Sequence, residues 1–255
     1  MTSFSSDAAI LESAAFLRTQ SAIVDWVLLA DDVGQLATEM LLDDAELGDS
    51  SGVALRICDR IKIELRCAIL LCERGYAVQA GANVATMGEL AFTVGYIADD
   101  LAKAQKWMAH DDIDGFKRAR DMLTSGLHRA KLSEERLTER EWDQYKWLCM
   151  LKHGNPIVFL SFGFLIQHAD EHTIRGAYGA LAERYLSRFV LACAVEYMLL
   201  ALSLLTKYHL RGNPTRFKQL IELQHAWKTK RDADVVQRIA DFPPPESTSA
   251  VLQKC

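Results

Sequence analysis

Two carboxylates stand out because the sequence around each is almost free of charge. Glu196 is the only charged residue in positions 189–205, and its neighbours at helical spacing are Ala192, Cys193, Leu199 and Leu200. A carboxylate in such surroundings must be neutral, paired or hydrated, because burying it alone costs roughly several kcal/mol. Glu89 is the only charged residue between Arg74 and Asp99. At 100° per residue it falls on one stripe with Gln79, Asn83, Thr86, Thr93, Tyr96 and Asp100, opposite Val84, Met87, Ala91, Val94 and Ala98. That polar stripe lacks the Lys/Glu mixture of an ordinary solvated face. It reads either as a hydrogen-bonded interhelical seam in which Glu89 has an Arg or Lys partner, or as the wall of a polar cavity in which Glu89 is an acid, base or ligand.

The catalytic set these residues would make is Glu89, Tyr96, Asp100, His110, His153 and Glu196. General acid–base chemistry, as in a hydrolase or ribonuclease, needs such groups within hydrogen-bond reach of one substrate position. The expected partners of Glu196 are Lys152, His153, His110 or an Arg of the helix that carries Ala54 and Cys72. No metal and no cofactor is expected. The ferritin-like di-metal arrangement requires two Glu-x-x-His motifs on different helices, and this chain has one, at Glu222 and His225. His168 and His172 stand four apart beside Asp170 and Glu171, but the stretch reads as a polar loop with Thr173 capping a following helix. There is no Gly-x-Ser-x-Gly elbow, no phosphate-binding Gly-x-x-x-x-Gly-Lys loop and no Gly-x-Gly-x-x-Gly.

Charge is distributed unevenly. Between Arg18 and Arg56 there is no Lys or Arg, while Asp25, Asp31, Asp32, Glu39, Asp43, Asp44, Glu46 and Asp49 are acidic. Positions 207–231 hold seven Lys or Arg and one acid, Glu222. Lys218, Lys228, Lys230 and Arg231 could hold nucleic-acid phosphates, but Trp227 is the only tryptophan there and no aromatic platform joins it. Complementarity with the acidic segment, within the chain or across a dimer, is the preferred reading. The formal charge of −5 also argues against bulk coating of nucleic acid.

The elements that position these groups are helical. Ile10, Ala14, Leu17, Val24 and Leu28 form one stripe, and Ala54, Cys58, Ile61, Leu65, Ala68 and Cys72 form another, with Asp59, Arg60, Lys62, Glu64 and Arg66 on a solvated side. Positions 48–52 separate those two segments, and Gly75 marks the next break. Thr138 and Glu141 suggest a capping box ahead of a helix from Trp142 to Lys152, ended by Gly154 and Pro156. Asn213 followed by Pro214 reads as an N-cap and first helical residue, and Phe242 with Pro243 ends the last helix. Strand alternation is missing, and positions 157–166 form the only ambiguous apolar run. With 255 residues, half of them apolar and only 5 prolines, the expectation is an all-α bundle of about eight helices. It should span 1–242 as a single domain, with 243–255 as a polar, disordered tail.

None of the six cysteines forms a Cys-x-x-Cys pair, so reduced thiols in a cytoplasm are expected. The opening residues have neither a basic start nor an apolar run, so no signal peptide is expected. Positions 189–205 reach the lower limit for a membrane span, but the central Glu196 favours a helix buried in protein. No membrane partner is expected.

The run from Gly75-Tyr76 through Glu89, Tyr96-Ile97, Asp100, Ala104 and Trp107 resembles a broad group of uncharacterised all-helical bacterial proteins, some of them associated with stress or phage defence. Arg184-Tyr185-Leu186-Ser187 is similar to a later segment of that group, where a histidine follows; here Val190-Leu191-Ala192 stands instead. The resemblance covers about a third of the chain and implies a fold class without an activity. It also touches the helical ribonucleases of the HEPN class, whose signature is Arg, four to six residues, then His. The spacings Arg120 to His128 and Arg216 to His225 are both too long for it. The expected function is therefore an interaction or regulatory protein that associates with itself or with a protein partner. A hydrolase or ribonuclease and a nucleic-acid binder are the alternatives.

Overall fold

The computed structural model describes residues 4–42, 49–97, 100–109, 135–153, 184–209 and 213–241. They form seven helices and no strand: α1 (Phe4–Leu42), α2 (Asp49–Glu73), α3 (Ala77–Ile97), α4 (Leu101–Met108), α5 (Glu135–Lys152), α6 (Arg184–Tyr208) and α7 (Pro214–Asp241). The all-α expectation therefore holds. Positions 157–166, His168, His172 and the 243–255 tail lie outside the described residues.

Helix α6 is the axis, with α1, α2, α3 and α7 packed against it and α5 packed against α3. Its sequence explains the position, because Val190, Met198, Val195, Leu199, Ala192 and Cys193 are spread round most of its circumference and all are buried. Its length and a mean hydropathy of 2.1 would suffice to cross a membrane, but 72% of that apolar window is buried against neighbouring helices. The core helix of a bundle meets the same test.

Helix α2 buries the expected stripe, Ala54, Cys58, Ile61, Leu65, Ala68 and Cys72. Glu64 departs from the solvated side: it is buried and held by Arg60 one turn back. The helix ends in a Schellman turn, with Gly75 N–H donating to the Cys72 carbonyl at 3.1 Å and Tyr76 N–H to the Leu71 carbonyl at 2.7 Å. Gly75 takes φ 81°, a conformation that a side chain would strain. Helix α7 starts as read, with Asn213 Oδ1 accepting from Thr215 N–H at 3.0 Å. Helix α5 does not: it is already helical from Glu135, so Thr138 lies inside it rather than capping it.

The largest departure concerns α1. Its buried face is Ile23, Trp26, Ala30, Val33, Ala37 and Met40, whereas Ile10, Leu17, Val24 and Leu28 face outward. The helix carries two apolar stripes, and the intramolecular core takes only one of them.

Helix α3 lets its neighbours approach closely through small residues. A Cβ at Gly88 would lie 3.0 Å from the Tyr197 ring of α6, and one at Gly81 would meet Leu151 of α5. Gly88→Val should therefore destabilise the fold by about 1–3 kcal/mol through overpacking. Gly88→Ala should cost less, because the gain in helix propensity of about 0.5–1 kcal/mol offsets part of the clash. Urea unfolding of the two variants checks the order; equal midpoints would show that the Tyr197 ring moves aside freely.

Candidate functional site

The strongest polar cluster joins α1, α6 and α7 around Arg188. Its Nε donates to both carboxylate oxygens of Asp234 at 3.0 Å, and its Nη2 donates to Asp25 at 3.0 Å and also to Asp234. Nη1 donates to Asp25 at 3.2 Å and to the Ala22 carbonyl. A planar fork can serve two carboxylates in this way; a lysine cannot. The buried Trp26 donates its indole N–H to Asp234 at 2.7 Å, and Lys230 reaches Asp25 at 3.1 Å. Burial works to raise the Asp25 carboxyl, but the hydrogen bond from Lys230 and the charges of Arg188 and Lys230 outweigh it. The group is held below its ordinary 3.8.

Beside this cluster lies a cavity of about 510 Å³ between α1, α5, α6 and α7. Its polar lining is Gln144, Tyr185, Arg188, Glu196, Arg231 and Asp234; Ala22, Phe189, Ala192, Cys193, Ala233 and Val235 supply the apolar wall. Residues Arg188, Ala192 and Glu196 stand four apart and so share a face of α6. Glu196 accepts from Gln144 Nε2 at 2.9 Å and lies 3.9 Å from Arg231 Nη1. Among the described residues, Gln144 and Arg231 thus stand where Lys152, His153 or an Arg of α2 was expected. Arg231 also stacks over the Trp227 ring, its guanidinium carbon 5.1 Å from the centroid.

Glu89 has the Lys partner of the seam reading. It accepts from Lys152 Nζ at 3.1 Å and from the Tyr145 hydroxyl at 3.0 Å. Burial, the hydrogen bond with Cys149 and the Glu89 charge all push the Tyr145 phenol upward, so it stays protonated and donates. Glu89 is not on the lining of the cavity that Glu196 helps to form. Asp100 caps α4, accepting from Lys103 N–H at 3.1 Å, and that bond leads the causes that hold its carboxyl low. Tyr96 lies 5.5 Å beneath the Lys103 ammonium, and His153 is exposed at the end of α5. His110 lies outside the described residues. Among the described members of the proposed catalytic set, only Glu196 is on the cavity lining.

The basic segment folds back on its own chain. Arg216 pairs with Glu39, Lys230 with Asp25 and Arg231 with Glu196, while Lys218 pairs along α7 with Glu222 at 3.8 Å. Lys218 and Lys228 remain exposed. No group of three or more His, Cys, Asp or Glu converges among the described residues. Cys58, Cys67, Cys72, Cys149 and Cys193 are free thiols; burial pushes Cys58 up to about 12 and Cys72 higher still. Cys255 lies outside the described residues.

Asp25, Arg188 and Asp234 are the residues that sequence reading missed. A signal existed: Arg188 is the last charge before the 189–205 run and shares a helix face with Glu196. No family model matches the chain, and neither the curated proteins nor the solved structures give a match.

Replacing Arg188 by Met leaves Asp25 and Asp234 facing one another in a partly buried site. It should cost about 3 kcal/mol, less in an Asp25→Asn, Asp234→Asn background, as read by urea unfolding. Lowering the pH tests the same cluster. Because the folded carboxyl of Asp25 is depressed, its stabilisation is complete well above 3.8 and is lost as pH falls through the lower folded value. The melting temperature should fall across that window. Asp25→Asn should start lower at neutral pH and show a shallower fall.

Proposed function

We propose that this chain is a cytoplasmic helical interaction and regulatory module that associates with a second copy of itself. The observation that carries this reading is the outward stripe of α1, where Ile10 is 65%, Leu17 74%, Val24 46% and Leu28 60% exposed. Ile10, Leu17 and Val24 are seven apart, the spacing that keeps a seam facing a partner helix. Among the side chains described between them, the exposed ones are Ser13, Gln20 and Ser21, none of them charged. Of the α1 side chains described before Ile23, none is buried. A helix segment with little support from its own core gains most of its stability from packing an apolar face elsewhere.

Magnitudes make the association reversible. Burying the four side chains from each of two copies contributes on the order of 10 kcal/mol gross. Association costs of about 4–15 kcal/mol oppose it. The outcome is a dimer whose population follows protein concentration. Free thiols at five described cysteines suit a reducing compartment.

Sedimentation velocity over the micromolar range tests the reading. Wild type should shift from monomer to dimer with concentration, and Leu17→Glu with Leu28→Glu should remain monomeric with unchanged helical circular dichroism. A wild type that stays monomeric, with a double variant that melts at lower temperature, would mean that a segment of the same chain covers the stripe. That result overturns the proposal.

A further inference from the structure

The cavity between α1, α5, α6 and α7 has a chemical character that goes beyond self-association and does not depend on it. The four charges on its described lining cancel: Arg188 is bonded to Asp234, and Arg231 stands 3.9 Å from Glu196. An incoming ion would have to compete with one member of a pair and would be repelled by the like charge of the same pair. An uncharged molecule leaves both pairs as they are. Ala22 of α1, Ala192 of α6 and Ala233 of α7 present only methyl groups to the space, and Phe189 and Val235 add apolar surface. A volume of about 510 Å³ with a largely apolar wall falls in the range of small-molecule sites.

Gln144 adds an open polar group to that wall. It lines the cavity and is only 8% exposed. Its Nε2 donates to Glu196 at 2.9 Å, and the carboxylate dictates this orientation, since an amide oxygen turned toward it would be repelled. Oε1 is therefore directed away from Glu196, and no described residue donates to it. An acceptor so enclosed is costly to leave without a donor. A ligand N–H or O–H would supply one. A charged donor would have to shed its water shell in a lining with no net charge to offset the loss. We infer that the cavity binds an uncharged, largely apolar small molecule whose N–H or O–H donates to Gln144 Oε1.

The test is calorimetric titration of the full chain with indole and with 4-propylphenol. Benzothiophene and 4-propylanisole keep the respective shapes and lack the donor, while indole-3-acetate and tryptamine add a charge. Indole and 4-propylphenol should bind, and each donor-free analogue should bind about three- to tenfold more weakly, the loss of one neutral hydrogen bond. Both charged analogues should bind at least about tenfold more weakly than indole. Gln144→Met should lower the affinity for indole to that for benzothiophene and leave benzothiophene unchanged, a selective loss that a merely structural role would not produce. Ala192→Leu should fill the space and abolish binding of all six compounds, whereas Lys228→Ala, exposed on α7, should change nothing. The analogue series on wild-type protein is independent of whether the variants fold. Absence of heat for both indole and 4-propylphenol, a donor-free or charged analogue that binds as tightly as its parent, or a preference for indole retained in folded Gln144→Met overturns the inference. None of these outcomes alters the sedimentation result expected for α1.

Discussion

Arg188 sets the geometry on which much of the bundle depends. Asp25 and Asp234 are far apart in the chain, and their carboxylates would repel one another if α1 and α7 met without a cation between them. The guanidinium fork bonds both and adds the Ala22 carbonyl, so three helices are fixed at one point on α6. Trp26 and Lys230 then occupy further acceptor positions on the same carboxylates. The arrangement gains stability because few polar atoms in it lack a partner. A cluster only half satisfied would be worse than an apolar contact.

That clasp also accounts for the uneven charge along the chain. An acidic first segment and a basic last one look, in one dimension, like an acidic protein with a nucleic-acid arm. Folded, α1 and α7 lie against each other, and Glu39 with Arg216 and Asp25 with Lys230 neutralise the two segments pairwise. The pairs are separated by 177 and 205 positions, so no local charge window can reveal them. Arg231 goes one step further inward, to Glu196, and leaves the solvated face of α7 to residues such as Lys218 and Lys228.

What was legible in the sequence was what depends on near neighbours. Helical type, the buried stripe of α2, the Gly75 turn and the Asn213 cap follow from spacing and residue type within a few positions. The need of Glu196 and Glu89 for partners was legible on the same grounds, since each is a lone charge in an apolar context. The identity of those partners was not, because it depends on how helices cross. Lys152 was named for Glu196 and serves Glu89, while Arg231 was named for phosphates and serves Glu196. Asp100 was misread for a local reason: the stripe at 100° per residue was extended through the end of α3 at Ile97, and past that point the residue caps α4 instead.

Helix α1 shows why periodicity alone cannot choose a core face. Ile10, Leu17, Val24 and Leu28 repeat at helical spacing, and so do Ile23, Trp26, Ala30, Val33 and Ala37. The second set wins the interior because it includes Trp26, whose indole N–H has a ready acceptor in Asp234 on α7, and because it lies beside the Asp25 that Arg188 requires. A buried Trp with its N–H satisfied contributes more than a Val or Leu at the same position. The losing stripe keeps its full hydrophobic character on the outside. Ala22 and Val24 are two residues apart, hence about 160° around the helix, so the cavity wall and the outward stripe occupy opposite sides of α1.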